Sequence, residues 1–161
     1  MNKITDWHGK SPVIALAADH GGFELKAKVK SILESKGHKT SDFGPFTLDA
    51  QDDYSDFASK LGFAVSKGEF ECGILICRSG AGMAINANRF HGVRAVVAHN
   101  AKIAELSRSH NCSNVLVLSG DFMKEEDIAT VIEKWLTTPF SGDARHLRRL
   151  EKLEKQSYDD I

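Results

Sequence analysis

The stretch Cys72-Gly73-Ile74-Leu75-Ile76-Cys77-Arg78-Ser79-Gly80-Ala81-Gly82 reads as one buried strand emptying into a glycine-bearing loop that opens a short helix, Met83 to Phe90. The uncharged run from Cys72 to Cys77 has strand length, and the glycines mark where it stops. The same arrangement stands earlier in the chain, where Val13-Ile-Ala-Leu-Ala-Ala18 runs into Asp19-His20-Gly21-Gly22. Outward from these two strands, Leu25, Val29, Ile32 and Leu33 recur at helical spacing between Phe23 and Lys36, and Gly37 sits where a helix C-cap belongs. A second strand is expected over His38 to Phe43, and a helix over Tyr54 to Lys67 with Phe57, Leu61, Ala64 and Val65 on one face. Then come a strand at Val93 to Ala98, a helix at Asn100 to His110, a strand at Asn114 to Leu118 and an amphipathic helix from Lys124 to Thr137. A charged helix from Asp143 to Gln156, with a Leu147, Leu150, Leu153 stripe, closes the pattern.

Short apolar strands alternating with helices predict an α/β three-layer sandwich: a five-stranded parallel, Rossmann-like sheet with helices on both faces. The C-terminal stripe is too long and charged to be mere sheet cover and suggests dimer packing. Met1 to Pro12 is polar and reads as a flexible tail, leaving 13–161 as a single domain. In such sheets ligands gather at the carboxyl ends of the strands. Asp19-His20, Cys77 to Gly82 and Ala98 to Asn100 are therefore expected along one edge.

Composition narrows the function. The chain has 161 residues, with 21 Lys plus Arg against 22 Asp plus Glu. A balance that close to neutral lacks the positive field that holds nucleic acid or an anionic membrane. No apolar run reaches the roughly 20 residues of a membrane helix, and no signal-peptide pattern opens the chain, so the expected location is cytoplasmic. Cys72 and Cys77 point to opposite faces of one strand, about 16 Å apart, and cannot reach each other at disulfide distance. No paired Cys/His spacing suggests zinc, so the sequence predicts neither metal nor cofactor, and any thiol chemistry belongs to one cysteine.

Asp19-His20-Gly21-Gly22 sets a carboxylate, an imidazole and two small residues where the first strand leaves the sheet. Read as a helix cap, Asp19 is explained but His20 and both glycines are not. In the loop after Cys77, backbone N–H groups can hold a phosphate or a developing oxyanion, and a cysteine at a helix N-terminus can serve as a base. Against that stands the commoner fate of a lone cysteine, burial as an inert apolar group. Ser107-Arg-Ser-His110-Asn111 offers a proton shuttle beside an amide donor, or simply a histidine on a helix dipole. Arg145 and Arg149, one helical turn apart, suit a phosphate monoester or form a solvated basic face.

Taken in order, Asp19-His20-Gly21-Gly22-Phe23, Asp53-Tyr54, Gly73-Ile-Leu-Ile-Cys77, Ser79-Gly80-Ala81-Gly82, Gly92-Val-Arg-Ala95, Ser107-Arg-Ser-His-Asn111, Asn114-Val-Leu116 and Arg145-His146 with Arg149 resemble the type B ribose-5-phosphate isomerases. That family also contains the galactose-6-phosphate isomerase subunits. The resemblance runs from about Val13 to about Lys155. It implies a metal-free aldose–ketose isomerase of the pentose phosphate pathway, interconverting ribose 5-phosphate and ribulose 5-phosphate through a cis-enediolate. It also implies a homodimer or homotetramer whose active site is shared between subunits. By that resemblance Cys77 is the base acting between C1 and C2, His110 opens the furanose ring, Asp19 lies beside it, and Ser79 joins the proton transfer. The amides of Gly80, Ala81 and Gly82, with Asn111, hold the enediolate oxygen. His20, Arg145 and Arg149 grip the phosphate, and Tyr54 is a pocket aromatic.

The chain departs from the family pattern in the anion loop and beyond it. Arg78 stands where glycine is usual, to block the loop or to add a phosphate contact. Ser79 replaces threonine. Asp121 falls where many members carry a phosphate-binding arginine, and is expected to cap the helix starting near Lys124. The Asp53-Tyr54-Ser55 segment lacks the proline usual after the tyrosine. These departures leave two alternatives: an isomerase of another sugar or a hexose 6-phosphate, and a sugar-phosphate-binding module without turnover.

Overall fold

The strand from Cys72 to Cys77 is the middle of the sheet. The computed structural model describes Asp6, Trp7 and residues 9–155. Its strands are β1 (Ile14–Ala18), β2 (Thr40–Asp42), β3 (Cys72–Cys77), β4 (Ala95–Val97) and β5 (Val115–Ser119). All run parallel, in the order β2-β1-β3-β5-β4. The helices are α1 (Phe23–Ser35), α2 (Tyr54–Ser66), α3 (Ala81–Ala87), α4 (Ala101–Asn111), α5 (Glu125–Thr137) and α6 (Ala144–Lys155), and a single 3-10 turn spans His20–Gly22. The three-layer α/β fold expected from the strand–helix alternation is the fold observed.

Alternation along β1 and β3 sorts their side chains between two cores. Ile14, Leu16, Cys72, Ile74 and Ile76 face the side packed by Val29 and Leu33 of α1 and Val131 and Trp135 of α5. Ala15, Ala17, Leu75 and Cys77 face the side covered by Leu61 of α2 and Met83 of α3. Every residue of β3 is buried, and truncating a core isoleucine such as Ile74 to alanine costs about 2–5 kcal/mol. The chain passes from β1 to β2 on one side while β3 flanks β1 on the other. The carboxyl ends of β1 and β3 therefore border the crevice at a topological switch point.

The N-terminal stretch corrects one expectation. Met1 to Thr5 and His8 lie outside the described residues, as do Gln156 at the end of the expected last helix and 157–161 of the expected domain. Asp6 and Trp7, however, are not a loose tail. Trp7 is 2% exposed, donates its indole N–H to the Leu136 carbonyl at 3.3 Å, and packs against Trp135. The guanidinium of the fully buried Arg108 lies 3.6 Å from the Trp7 ring centroid and bonds the Asp6 carboxylate and the Ser113 carbonyl. A buried cation needs such partners, and the indole supplies both an apolar cover and a π-face. On α6, Leu150 is buried within the chain while Leu153 remains about half exposed. Among the described residues no helix is long and apolar enough to cross a membrane.

Candidate active site

β1 ends in the turn that shapes one wall of the crevice. Asp19 is buried, and its Oδ1 accepts the Gly22 N–H at 3.1 Å, so it does cap the turn over His20–Gly22. Burial pushes its carboxyl above the ordinary carboxylate value, and the Gly22 N–H and the neighbouring His20 work against that rise. His20 is held twice by one carboxylate: Asp52 Oδ1 accepts its backbone N–H at 2.9 Å and pairs with its Nδ1 at 2.7 Å. The Asp52 hydrogen bond raises the His20 imidazole above its usual value, which favours imidazolium and leaves Nε2 as the outward donor. Asp52 Oδ2 is itself buried without a partner, so this carboxylate is committed to the histidine.

Cys77 is the last residue of β3. Its sulfur accepts the Gly80 N–H at 3.1 Å, a contact suited to negative charge on that atom. The loop closes this tightly because Gly80 adopts φ +84°, a left-handed conformation that a side chain disfavours. Ser79 Oγ accepts the Ala81 N–H at 3.2 Å, and Ser79 and Ala81 are exposed at the mouth of the loop. The ring of Tyr54, 45% exposed at the start of α2, lies against Gly82: a Cβ there would stand 2.8 Å from its Cε2 and Cζ. Asp19, His20, Tyr54, Cys77, Ser79, Gly80, Ala81 and Gly82 thus share the carboxyl side of the sheet, and Asn100, the side-chain cap of α4, is on that side too. This is the edge anticipated from the sequence.

Two cysteines of one strand have separate fates. Cys72 faces the opposite core, where burial pushes its thiol up to about 12. It is an inert core residue. Cys77, buried in the other core, turns its sulfur to the Gly80 N–H of the loop.

His110 and Asn111 end α4, and α4 runs back against the strand direction, so both emerge at the amino edge where β5 begins. In the register Gly73 pairs with Val115 and Cys77 with Ser119. About 13 Å of strand therefore separates the level of the Cys77 loop from the level at which β5 starts. Within one chain His110, Asn111, Arg145 and Arg149 are not brought to Cys77. They form a second group: the rings of His110 and His146 stack at 4.3 Å between centroids and 13° between planes. Arg145 and Arg149 are exposed on α6, with Arg145 3.7 Å from Asp143. Burial, then the charges of His110 and Arg145, hold His146 below the ordinary imidazole value; among the described residues its buried Nε2 makes no hydrogen bond and lies 3.9 Å from Asp143 Oδ2. A cavity of about 650 Å³ opens on this same edge, lined by Gly92, Arg94, Asn111, Leu150 and Glu154 among others.

Two partners escaped the sequence reading. Asp52 is one; the quoted mark fell on its neighbour Asp53, which makes no side-chain cap bond to α2. Nothing in two adjacent aspartates tells which will turn toward a histidine 32 positions away. His146 is the other: the sequence marks it beside Arg145 and Arg149 without assigning it a role, and its stacking on His110 comes from the fold. The expected cap role of Asp121 is also corrected: no side chain caps α5, and Asp121 Oδ2 instead accepts the Arg78 Nε–H at 3.0 Å.

A sequence profile of the ribose/galactose isomerases matches residues 14–153. The chain is 38% identical over 140 residues to ribose-5-phosphate isomerase B of Escherichia coli (strain K12), covering 87% of this chain and 93% of that protein. It is 36% identical over 141 residues to a putative sugar phosphate isomerase of Bacillus subtilis (strain 168), covering 87% and 93%. A ribose 5-phosphate isomerase structure from Thermotoga maritima superposes with a TM-score of 0.86 at 41% identity, over 90% of this chain and 99% of that one. Ribose-5-phosphate isomerase B of Mycoplasma genitalium, solved with bound ribulose-5-phosphate, superposes with a TM-score of 0.85 at 36% identity, over 91% and 95%.

Proposed function

Because the chain belongs to the ribose/galactose isomerase family, we propose that it interconverts ribose 5-phosphate and ribulose 5-phosphate, with its own Cys77 as the base. The observation that carries this reading is the Cys77 sulfur at the switch point: it is buried against the α2/α3 core, yet it accepts the Gly80 N–H of the glycine loop at 3.1 Å. The α-proton of an aldose is weakly acidic, and its removal needs a positioned base and a prepared anion site.

The reaction opens with the furanose. His110 moves the proton from the anomeric hydroxyl to the ring oxygen as the C1–O4 bond breaks and C1 becomes a carbonyl, with Asp19 beside the ring. The Cys77 thiolate then takes the C2 proton. The C–H electron pair forms the C1–C2 double bond, and the carbonyl electrons move to O1, giving a cis-enediolate. The N–H groups of Gly80, Ala81 and Gly82, with Asn111, hold that oxygen. Cys77 then returns its proton to C1 as the C1–C2 π electrons form the new C–H bond, and Ser79 relays the O2 proton to O1, so that C2 becomes the carbonyl and C1 the hydroxymethyl group of the ketose. His20, Arg145 and Arg149 bind the phosphate, remote binding energy that fixes C1 and C2 against the sulfur. Tyr54 lines the sugar pocket.

One chain carries these groups on opposite edges of the sheet, so the working unit is a symmetric homodimer. The Cys77 edge of one subunit meets the His110 edge of the other, and an isologous contact makes two such sites at once. Residues 13–161 act as one domain in that assembly. The free thiols of Cys72 and Cys77 suit a reducing cytoplasm.

The test is conversion of ribose 5-phosphate followed in deuterated water. The wild type is expected to form ribulose 5-phosphate with solvent exchange at the migrating hydrogen, and Cys77→Ala to lose both. Exchange retained in Cys77→Ala would remove Cys77 from the base role.

A further inference from the structure

Arg78 is built into the carboxyl edge more firmly than an exposed loop residue needs to be. Its carbonyl accepts the Ser119 hydroxyl at 2.6 Å and the Asp121 N–H at 3.0 Å, while the Gly120 N–H bonds the preceding Cys77 carbonyl at 2.8 Å. The loop after β5 thereby clamps the loop after β3. The Arg78 side chain then crosses Gly21, passing where no other residue would leave room: a Cβ at that glycine would stand 2.2 Å from Arg78 Cγ. At its end the guanidinium gives Nε–H to Asp121 Oδ2 at 3.0 Å. Among the described residues its two terminal nitrogens make no hydrogen bond, and the side chain is 67% exposed.

An exposed ion pair stabilises a fold very little. What this one does is fix direction. A guanidinium tethered through Nε keeps a terminal edge with donors in one plane, the geometry that matches phosphate oxygens. Gly21, which this side chain crosses, follows directly on His20, whose imidazole the Asp52 hydrogen bond holds above its ordinary value. The Asp121 carboxylate, and more weakly Asp19, keep Arg78 in its charged form.

We propose that Arg78 is a substrate-binding residue for the phosphate, supplied by the same subunit as Cys77, and that Asp121 is the positioning residue that aims it. This rests on the isomerase reading above and adds a phosphate donor to it. The anion is then held between His20 with Arg78 on one subunit and Arg145 with Arg149 on the other.

The experiment compares the wild type with Arg78→Gly, Arg78→Lys, Asp121→Asn and the double variant Arg78→Gly/Asp121→Arg. Two readouts are taken: steady-state kinetics on ribose 5-phosphate, and direct titration with inorganic phosphate followed by 31P NMR. Arg78→Gly is expected to weaken phosphate binding about tenfold, equivalent to roughly 1.4 kcal/mol, with the kinetic loss falling mainly on KM. Asp121→Asn is expected to weaken it about threefold and Arg78→Lys to recover part of the loss, because an ammonium keeps charge without the planar edge. The double variant returns a guanidinium from the opposite partner of the pair and is expected to regain phosphate binding. Unchanged phosphate affinity in Arg78→Gly, or tighter binding once the side chain is removed, overturns the proposal. A wild type that binds inorganic phosphate through Arg78 yet never turns over ribose 5-phosphate would overturn the isomerase reading instead and leave the anion contact standing.

Discussion

The two edges of the sheet are finished to different degrees. On the carboxyl edge each reactive group has a partner within its own chain: Asp19 with Gly22, His20 with Asp52, Cys77 with Gly80, Arg78 with Asp121. On the amino edge the contacts are looser: Asp143 lies 3.7 Å from Arg145 and 3.9 Å from His146 Nε2. His110 stacks on His146, the buried Nε2 of His146 makes no hydrogen bond among the described residues, and Arg145 and Arg149 stand in solvent. A preorganised half and a half with hydrogen-bonding capacity to spare fit the proposal of a site divided between two copies of the chain. Buried polar atoms without partners are costly, and cations held apart only by solvent welcome an anion.

The largest effect that sharpens this contrast lies within β3. Cys77→Ala is expected to lower kcat on ribose 5-phosphate by about 10²–10⁴-fold, the range of a lost general base. Cys72→Ala, on the opposite face, is expected to leave kcat in place and to appear only as lower stability in a denaturant titration. Equal kinetic losses from both would break the distinction between the two thiols. Next comes the other edge. His110→Ala is expected to slow turnover of the cyclic sugar by roughly 10²-fold, and less for the open-chain fraction, which has no ring to open. A loss independent of substrate form, measured by stopped-flow on freshly mutarotated ribose 5-phosphate, would deny His110 that step.

A smaller effect concerns Asp52. Its hydrogen bond raises the His20 value in the folded chain. The stabilisation this pair contributes is therefore fully present below the ordinary imidazole value of about 6.5. It is lost as pH climbs through the higher folded midpoint. The NMR titration of His20 should accordingly have its midpoint above the ordinary value, and Asp52→Asn should bring that midpoint down. KM for ribose 5-phosphate should rise a fewfold at neutral pH in that variant. An unmoved His20 midpoint in Asp52→Asn would mean the contact does not govern its protonation.

Much of this architecture was readable before any coordinates. The apolar runs at Val13–Ala18 and Cys72–Cys77, each ending in glycines, locate β1, β3 and the crevice between their carboxyl ends, because period and punctuation are local properties of a chain. Each β-strand and helix was anticipated to within a few residues, including α6. What was not readable depended on distant partners. Trp7 lies in a polar stretch, and the distant partners Arg108, Trp135 and Leu136 explain why it belongs to the core. Arg78 and Asp121 looked like two separate departures from a family pattern; their ion pair makes them one feature. The separation of His110 from Cys77 follows from the direction of α4, yet a list of site residues in sequence order hides it.

Subunit mixing tests the divided site most directly. Cys77→Ala and His110→Ala proteins, each nearly inactive alone, are to be unfolded together, refolded and assayed on ribose 5-phosphate. In a heterodimer one site carries both substitutions and the other carries neither. Random pairing into symmetric dimers is therefore expected to restore about a quarter of wild-type activity. No recovery, with heterodimers demonstrably formed, would contradict a site built from opposite edges of two subunits.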